Sequence, residues 1–111
     1  MKGLVVFSSD YDKIVLDRLV DRVEQVLDHE VGGRVVLVAD WWVGEKLEWA
    51  DLYPADLLLG PAIDDIWVVA KERFLGRDIH EVILVTTPQE MAKIMKLIEE
   101  DGFHVTNRSV E

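Results

Sequence analysis

Apolar residues of this chain gather in five short runs, 4–7, 35–38, 57–59, 82–85 and 103–105, separated by intervals long enough for a helix. The run Val35-Val36-Leu37-Val38 is continuous rather than alternating, as expected of a strand buried on both faces. After the first run, Ser8-Ser9-Asp10 supplies capping groups. Leu16, Leu19, Val20, Val23 and Leu27 then fall on one face of a helix predicted from about 10 to about 29. Gly32-Gly33 turns the chain into the second strand, which Asp40 ends. The pattern is least regular between 40 and 55, where a short helix over 45–52 is interrupted by Pro54. Gly60-Pro61 opens a second helix in which Ile63, Ile66, Trp67, Ala70 and Phe74 share a face, with Gly76 where a left-handed cap belongs. Past the fourth run, Thr87-Pro88-Gln89-Glu90 places an N-cap threonine, a first-turn proline and a capping-box glutamate in register, ahead of a stripe of Met91, Ile94, Met95 and Ile98. Gly102 ends that helix, and the last segment, 103–110, carries enough polar residues to be an edge strand.

Strands that alternate with helices pair in parallel through crossovers. The pattern therefore predicts a three-layer αβα fold of one domain, 1–111. Its five-stranded, mostly parallel sheet is expected in the flavodoxin-like order 2-1-3-4-5, with the last strand the one most readily reversed to antiparallel. Sheets of this kind place ligand sites beyond the strand carboxyl ends, where the strand order reverses.

Composition narrows the functional classes. With 22 acidic against 12 basic residues the net charge is −10, and the bases are dispersed, so the chain repels a phosphate backbone and nucleic acid is not an expected partner. Lys93 and Lys96 are the nearest approach to a basic patch and read as a solvated helix face. The absence of cysteine removes thiol catalysis, disulfides and thiolate metal sites together. Charged residues reach 31% while only Gln25, Gln89 and Asn107 carry side-chain amides, which resembles the composition of thermophile proteins. No apolar run approaches the roughly 20 residues a bilayer demands, and Met1-Lys2-Gly3 enters a strand without a secretory leader, so a cytoplasmic protein is expected, without a membrane partner.

Candidate chemistry collects just past the strands: Ser8, Ser9 and Asp10, then Asp40 and Trp41, then Gly60 and Asp64, then Thr86 and Thr87. Carboxylates of Asp10, Asp12 and Asp40 converging there could hold magnesium, a hard cation that takes oxygen ligands, with Thr86 as a hydrogen-bond donor. Asp10, Asp12, Asp64 and Asp65 have a simpler reading as caps of first helical turns, where they face the positive end of the dipole. Asp10-Tyr11-Asp12 resembles the two-aspartate motif of haloacid-dehalogenase-type phosphotransferases. The match is confined to scattered residues: Ile14 stands where the usual threonine would, and Asp64-Asp65 precede Thr86 instead of following it. Phospho-receiver domains need an aspartate ending strand three, where this chain has Leu59-Gly60. No Gly-rich phosphate loop occurs, and although Gly60-Pro61-Ala62 could offer helix-terminal N–H groups to an anion, Asp64 and Asp65 would repel an unshielded phosphate there. His29, His80 and His104 match no zinc spacing, and Ser8 and Ser9 have no histidine base nearby, so they read as caps.

Trp41, Trp42, Trp49 and Tyr53 crowd into thirteen residues, and adjacent Trp41 and Trp42 cannot both point inward from an extended chain. Aromatics that a core does not absorb mark interfaces or ligand mouths, because they bring much apolar area at small entropic cost. Two functions follow. The first is a non-catalytic binding or assembly module, a homo-oligomer or subunit of a complex, with Trp41, Trp42, Trp49, Tyr53 and Gly60 at the ligand or interface. The alternative is a magnesium-dependent phosphoryl-transfer or phosphohydrolase enzyme using Asp10, Asp12, Asp40 and Thr86. Whether the chain is an enzyme at all is not decided by its residues.

Overall fold

The structure, a computed structural model, describes residues 2–10, 12–28, 36–40, 45–46, 56–60 and 62–108, with 36–40 and 56–60 described in their backbone alone. Among the described residues three helices and five strands follow one another as β1 (Gly3–Phe7), α1 (Lys13–Val26), β2 (Val36–Asp40), β3 (Asp56–Gly60), α2 (Ile63–Gly76), β4 (Glu81–Thr86), α3 (Pro88–Glu100) and β5 (His104–Asn107). Every pairing is parallel, and the order across the sheet is β3-β2-β1-β4-β5.

This order overturns the flavodoxin-like 2-1-3-4-5 arrangement, and the final strand, Glu81↔His104 to Leu84↔Asn107, is not reversed. In the expected order β3 would lie against β1. Here β4 takes that place along Gly3↔Val82 to Phe7↔Thr86, while β3 pairs with the outer side of β2. The β3-to-β4 crossover therefore passes over two strands, and α2 lies across the middle of the sheet. Gly3 makes room for it. A Cβ at this position would stand 2.6 Å from the Phe74 ring, so a β1 residue with a side chain would push against the ring that seats the helix.

Right-handed crossovers then assign each helix to a layer. The chain moves one way from β1 to β2 and the other way from β3 through β4 to β5, which puts α1 on one face and both α2 and α3 on the other. Side chains alternate accordingly along β1 and β4. Leu4, Val6, Ile83 and Val85 pack with Leu16, Leu19, Val20, Val23 and Val26 of α1. Val5, Phe7, Val82 and Leu84 pack with Ile63, Ile66, Trp67, Ala70 and Phe74 of α2 and Ile94 and Ile98 of α3. Trp67, Phe74 and Phe103 form an aromatic triad in this second layer, with centroids 5.2–6.0 Å apart and Phe103 edge-on to the other two rings. The Trp67 indole N–H donates to Asp101 Oδ2 at 2.7 Å, and Lys71 Nζ lies 3.6 Å from the same oxygen, so the end of α3 is pinned to α2. No helix among the described residues is long and apolar enough to cross a membrane.

Candidate functional site

The strand order reverses between β1 and β4. Helices leave the carboxyl ends of these two neighbours toward opposite faces, which is where a parallel sheet opens a crevice for ligands. Ser8, Ser9 and Asp10 lie at one lip and Thr86 and Thr87 at the other, because Phe7 and Thr86 are in register. The topology thus brings Asp10 and Thr86 of the expected site together. Asp40 ends the adjacent β2, and Gly60 ends β3, two strands and roughly 10 Å from β1. The side chain of Asp40 lies outside the described residues, as do Trp41, Trp42, Trp49 and Tyr53.

Local hydrogen bonds close the crevice. Thr86 Oγ1 donates to the Phe7 carbonyl at 2.7 Å and is fully buried, tying the two strand ends together. Ser8 Oγ donates to the Asp10 carbonyl at 2.9 Å and accepts the Asp10 N–H at 3.0 Å, a short turn that redirects the chain toward α1. Asp10 Oδ1 accepts the Asp12 N–H at 3.0 Å, and Asp12, the N-cap of α1, accepts the Ile14 N–H at 2.9 Å. Both carboxylates thus satisfy backbone donors two residues ahead, the usual service of aspartate at a helix start.

Glu90 bridges the two lips. Its Oε1 accepts the Ser9 N–H at 2.8 Å, from a loop 81 residues away in sequence, and the Thr87 hydroxyl at 3.1 Å. The expected capping box is corrected by this contact. Thr87 occupies the N-cap position of α3 but makes no side-chain bond to the helix backbone, and its hydroxyl orients the glutamate instead. An anion approaching the α3 N-terminus would meet this carboxylate first, which opposes phosphate. The Thr87–Glu90 spacing hinted at a cap, but nothing in the sequence marked the long-range partner.

Among the described residues no buried side-chain nitrogen or oxygen lacks a hydrogen bond, and no three histidine, aspartate or glutamate side chains gather closely enough to hold a metal. His80 and His104 lie at the amino ends of β4 and β5, where His104 N–H donates to the His80 carbonyl, far from Ser8 and Thr86. An open groove of about 450 Å³ also lies at that end, lined by Glu99, Gly102, Phe103, His104 and Val105.

The feature that sequence reasoning passed over is the outer face of α2. Val68, Val69 and Leu75 are 55%, 47% and 50% exposed, although the helix already buries Ile63, Ile66, Trp67, Ala70 and Phe74. The signal was present: Val68 and Val69 stand outside the buried stripe, in an apolar run from Ile66 to Ala70 that no single helical face accommodates. Compared with protein-family models, with curated proteins and with solved structures, the chain matches none.

Proposed function

We propose that this chain is a non-catalytic binding or assembly module that works by associating with a second copy or a protein partner. The observation that carries this reading is the solvent side of α2, where Val68, Val69 and Leu75 stand about half exposed among charged residues on one 14-residue helix. A lone acidic domain gains nothing from exposing them, whereas each buried against a partner contributes roughly 1.5–3 kcal/mol by area. Trp41, Trp42, Trp49 and Tyr53, the aromatic segment of the sequence, are proposed to add to the same kind of contact.

The polar edge supports this reading over catalysis. Its Ser8, Thr86 and Thr87 hydroxyls are hydrogen-bonded within the protein, its Asp10 and Asp12 carboxylates accept backbone N–H groups, and Glu90 spans the crevice. A magnesium-dependent phosphoryl transfer would have to break several of these bonds first. Sedimentation velocity of the parent and of Trp42→Ala, each at low and high salt, tests the proposal. Self-association that strengthens with salt, as screening relieves the repulsion between two copies of charge −10, is expected. A strictly monomeric parent at high micromolar concentration removes self-association. Saturable magnesium binding followed by tryptophan fluorescence would favour the enzyme reading instead.

A further inference from the structure

Resting on that assembly reading, we infer that α2 is the contact helix of a two-fold dimer, packed antiparallel against α2 of a second copy with Val69 at the axis. Asp65, Val69 and Arg73 follow one another at four-residue steps and so form one ridge along the outer face of the helix, and all three are exposed. Asp65 and Arg73 stand about 6 Å to either side of Val69 along the helix axis. Turning a second copy around places Asp65 against the second copy's Arg73 and Arg73 against its Asp65, once the two ridges run parallel as in the commonest class of helix packing. A surface carrying opposite charges at equal distances from an apolar centre is complementary to itself, which is the requirement of an isologous interface.

The other charges of the helix leave this ridge available. Asp64 is paired with Lys93 at 3.7 Å and Lys71 with Asp101 at 3.6 Å, both directed toward α3. Asp65, Glu72 and Arg73 make no ion pair among the described residues. Glu72 lies on the neighbouring ridge at the Arg73 end, so at each end of the contact Arg73 faces the second copy's Asp65 with its own Glu72 beside it. Val68 and Leu75 lie together about 100–120° around the helix from Val69, so Val68 borders the contact and Leu75 stays outside it. Antiparallel packing also sets the two helix dipoles against each other favourably. A single helix pair is small beside a standard interface, so a dimer dissociating at about micromolar concentration is expected.

A charge-reversal exchange tests the arrangement, with sedimentation equilibrium as the readout and circular dichroism as the control for folding. Asp65→Arg alone and Arg73→Asp alone each place like charges in both contacts and should weaken the dimer about tenfold or more. An equimolar mixture of these two singly reversed chains pairs opposite charges in both contacts and should dimerise as the parent does. Val69→Asp, at an exposed position that the fold does not need, should leave a monomer. Restoration in the mixture supports the geometry. A parent dimer that neither reversal weakens, or reversals that the mixture does not rescue, overturns the α2 pairing while the assembly reading stands. A parent that stays monomeric overturns the α2 pairing and self-association with it, leaving the assembly reading only a heterologous protein partner.

Discussion

Gly3 offers the sharpest test of how this fold is packed, because adding one methyl group there sets two effects of opposite sign against each other. In favour of Gly3→Ala, the unfolded chain loses conformational freedom, worth about 0.4–1 kcal/mol, and a buried methyl adds about 0.8 kcal/mol. Against it, the new Cβ would stand 2.6, 2.7 and 3.0 Å from three carbons of the Phe74 ring, so the ring must retreat by about 1 Å to reach ordinary contact. A free ring would do so cheaply, but this one is fully buried and held between Trp67 at 5.9 Å and Phe103 at 6.0 Å. Overpacking at such a site costs about 1–3 kcal/mol net, so a loss of about 2 kcal/mol is expected. Urea denaturation would report it as a midpoint lowered by about 1 M for a slope of about 2 kcal/mol/M. In a Phe74→Leu background the clashing ring carbons are absent and Gly3→Ala should cost nothing, a coupling of about 2 kcal/mol. A Gly3→Ala variant as stable as the parent, or one equally costly in both backgrounds, would refute the claim that Gly3 admits α2 across β1.

The remaining expectations concern contacts that join distant segments. Asp101→Ala strands the buried Trp67 indole N–H and removes the Lys71 partner, so thermal unfolding should show a loss of about 1–3 kcal/mol, while Lys71→Ala alone, at a partly exposed pair, should show under about 1 kcal/mol. Glu90→Ala should destabilise by about 0.5–1.5 kcal/mol because the Ser9 N–H and the Thr87 hydroxyl both lose their acceptor. Thr87→Ala should cost less than Glu90→Ala and almost nothing once Glu90 is gone. A full cap-sized loss from Thr87→Ala in that background would show that the hydroxyl serves the helix backbone after all. Self-association in the ultracentrifuge, rising with salt, and the rescue of reversed α2 charges by mixing complete the set.

Features that depend on near neighbours were legible from the order of residues alone. A helix repeats every 3.6 residues whatever it packs against, so the stripes Leu16, Leu19, Val20, Val23 and Ile63, Ile66, Trp67, Ala70, Phe74 were legible and lie buried where the period places them. The apolar runs 4–7 and 82–85 likewise lie buried along β1 and β4, and the capping role of Asp12 followed from its place at the first helical turn. Strand order was not legible, because a doubly buried strand has the same composition whichever strand lies beside it. Loop-closure entropy separates the alternative crossovers only weakly, so the choice fell to packing, in particular to the fit of Phe74 over Gly3. Tertiary structure alone also decided that Glu90 reaches Ser9, that Trp67 finds Asp101, and that Val68, Val69 and Leu75 remain uncovered. Each depends on where a distant segment comes to rest, and hydrogen bonds and apolar contacts across such separations leave no periodic trace in the chain that makes them.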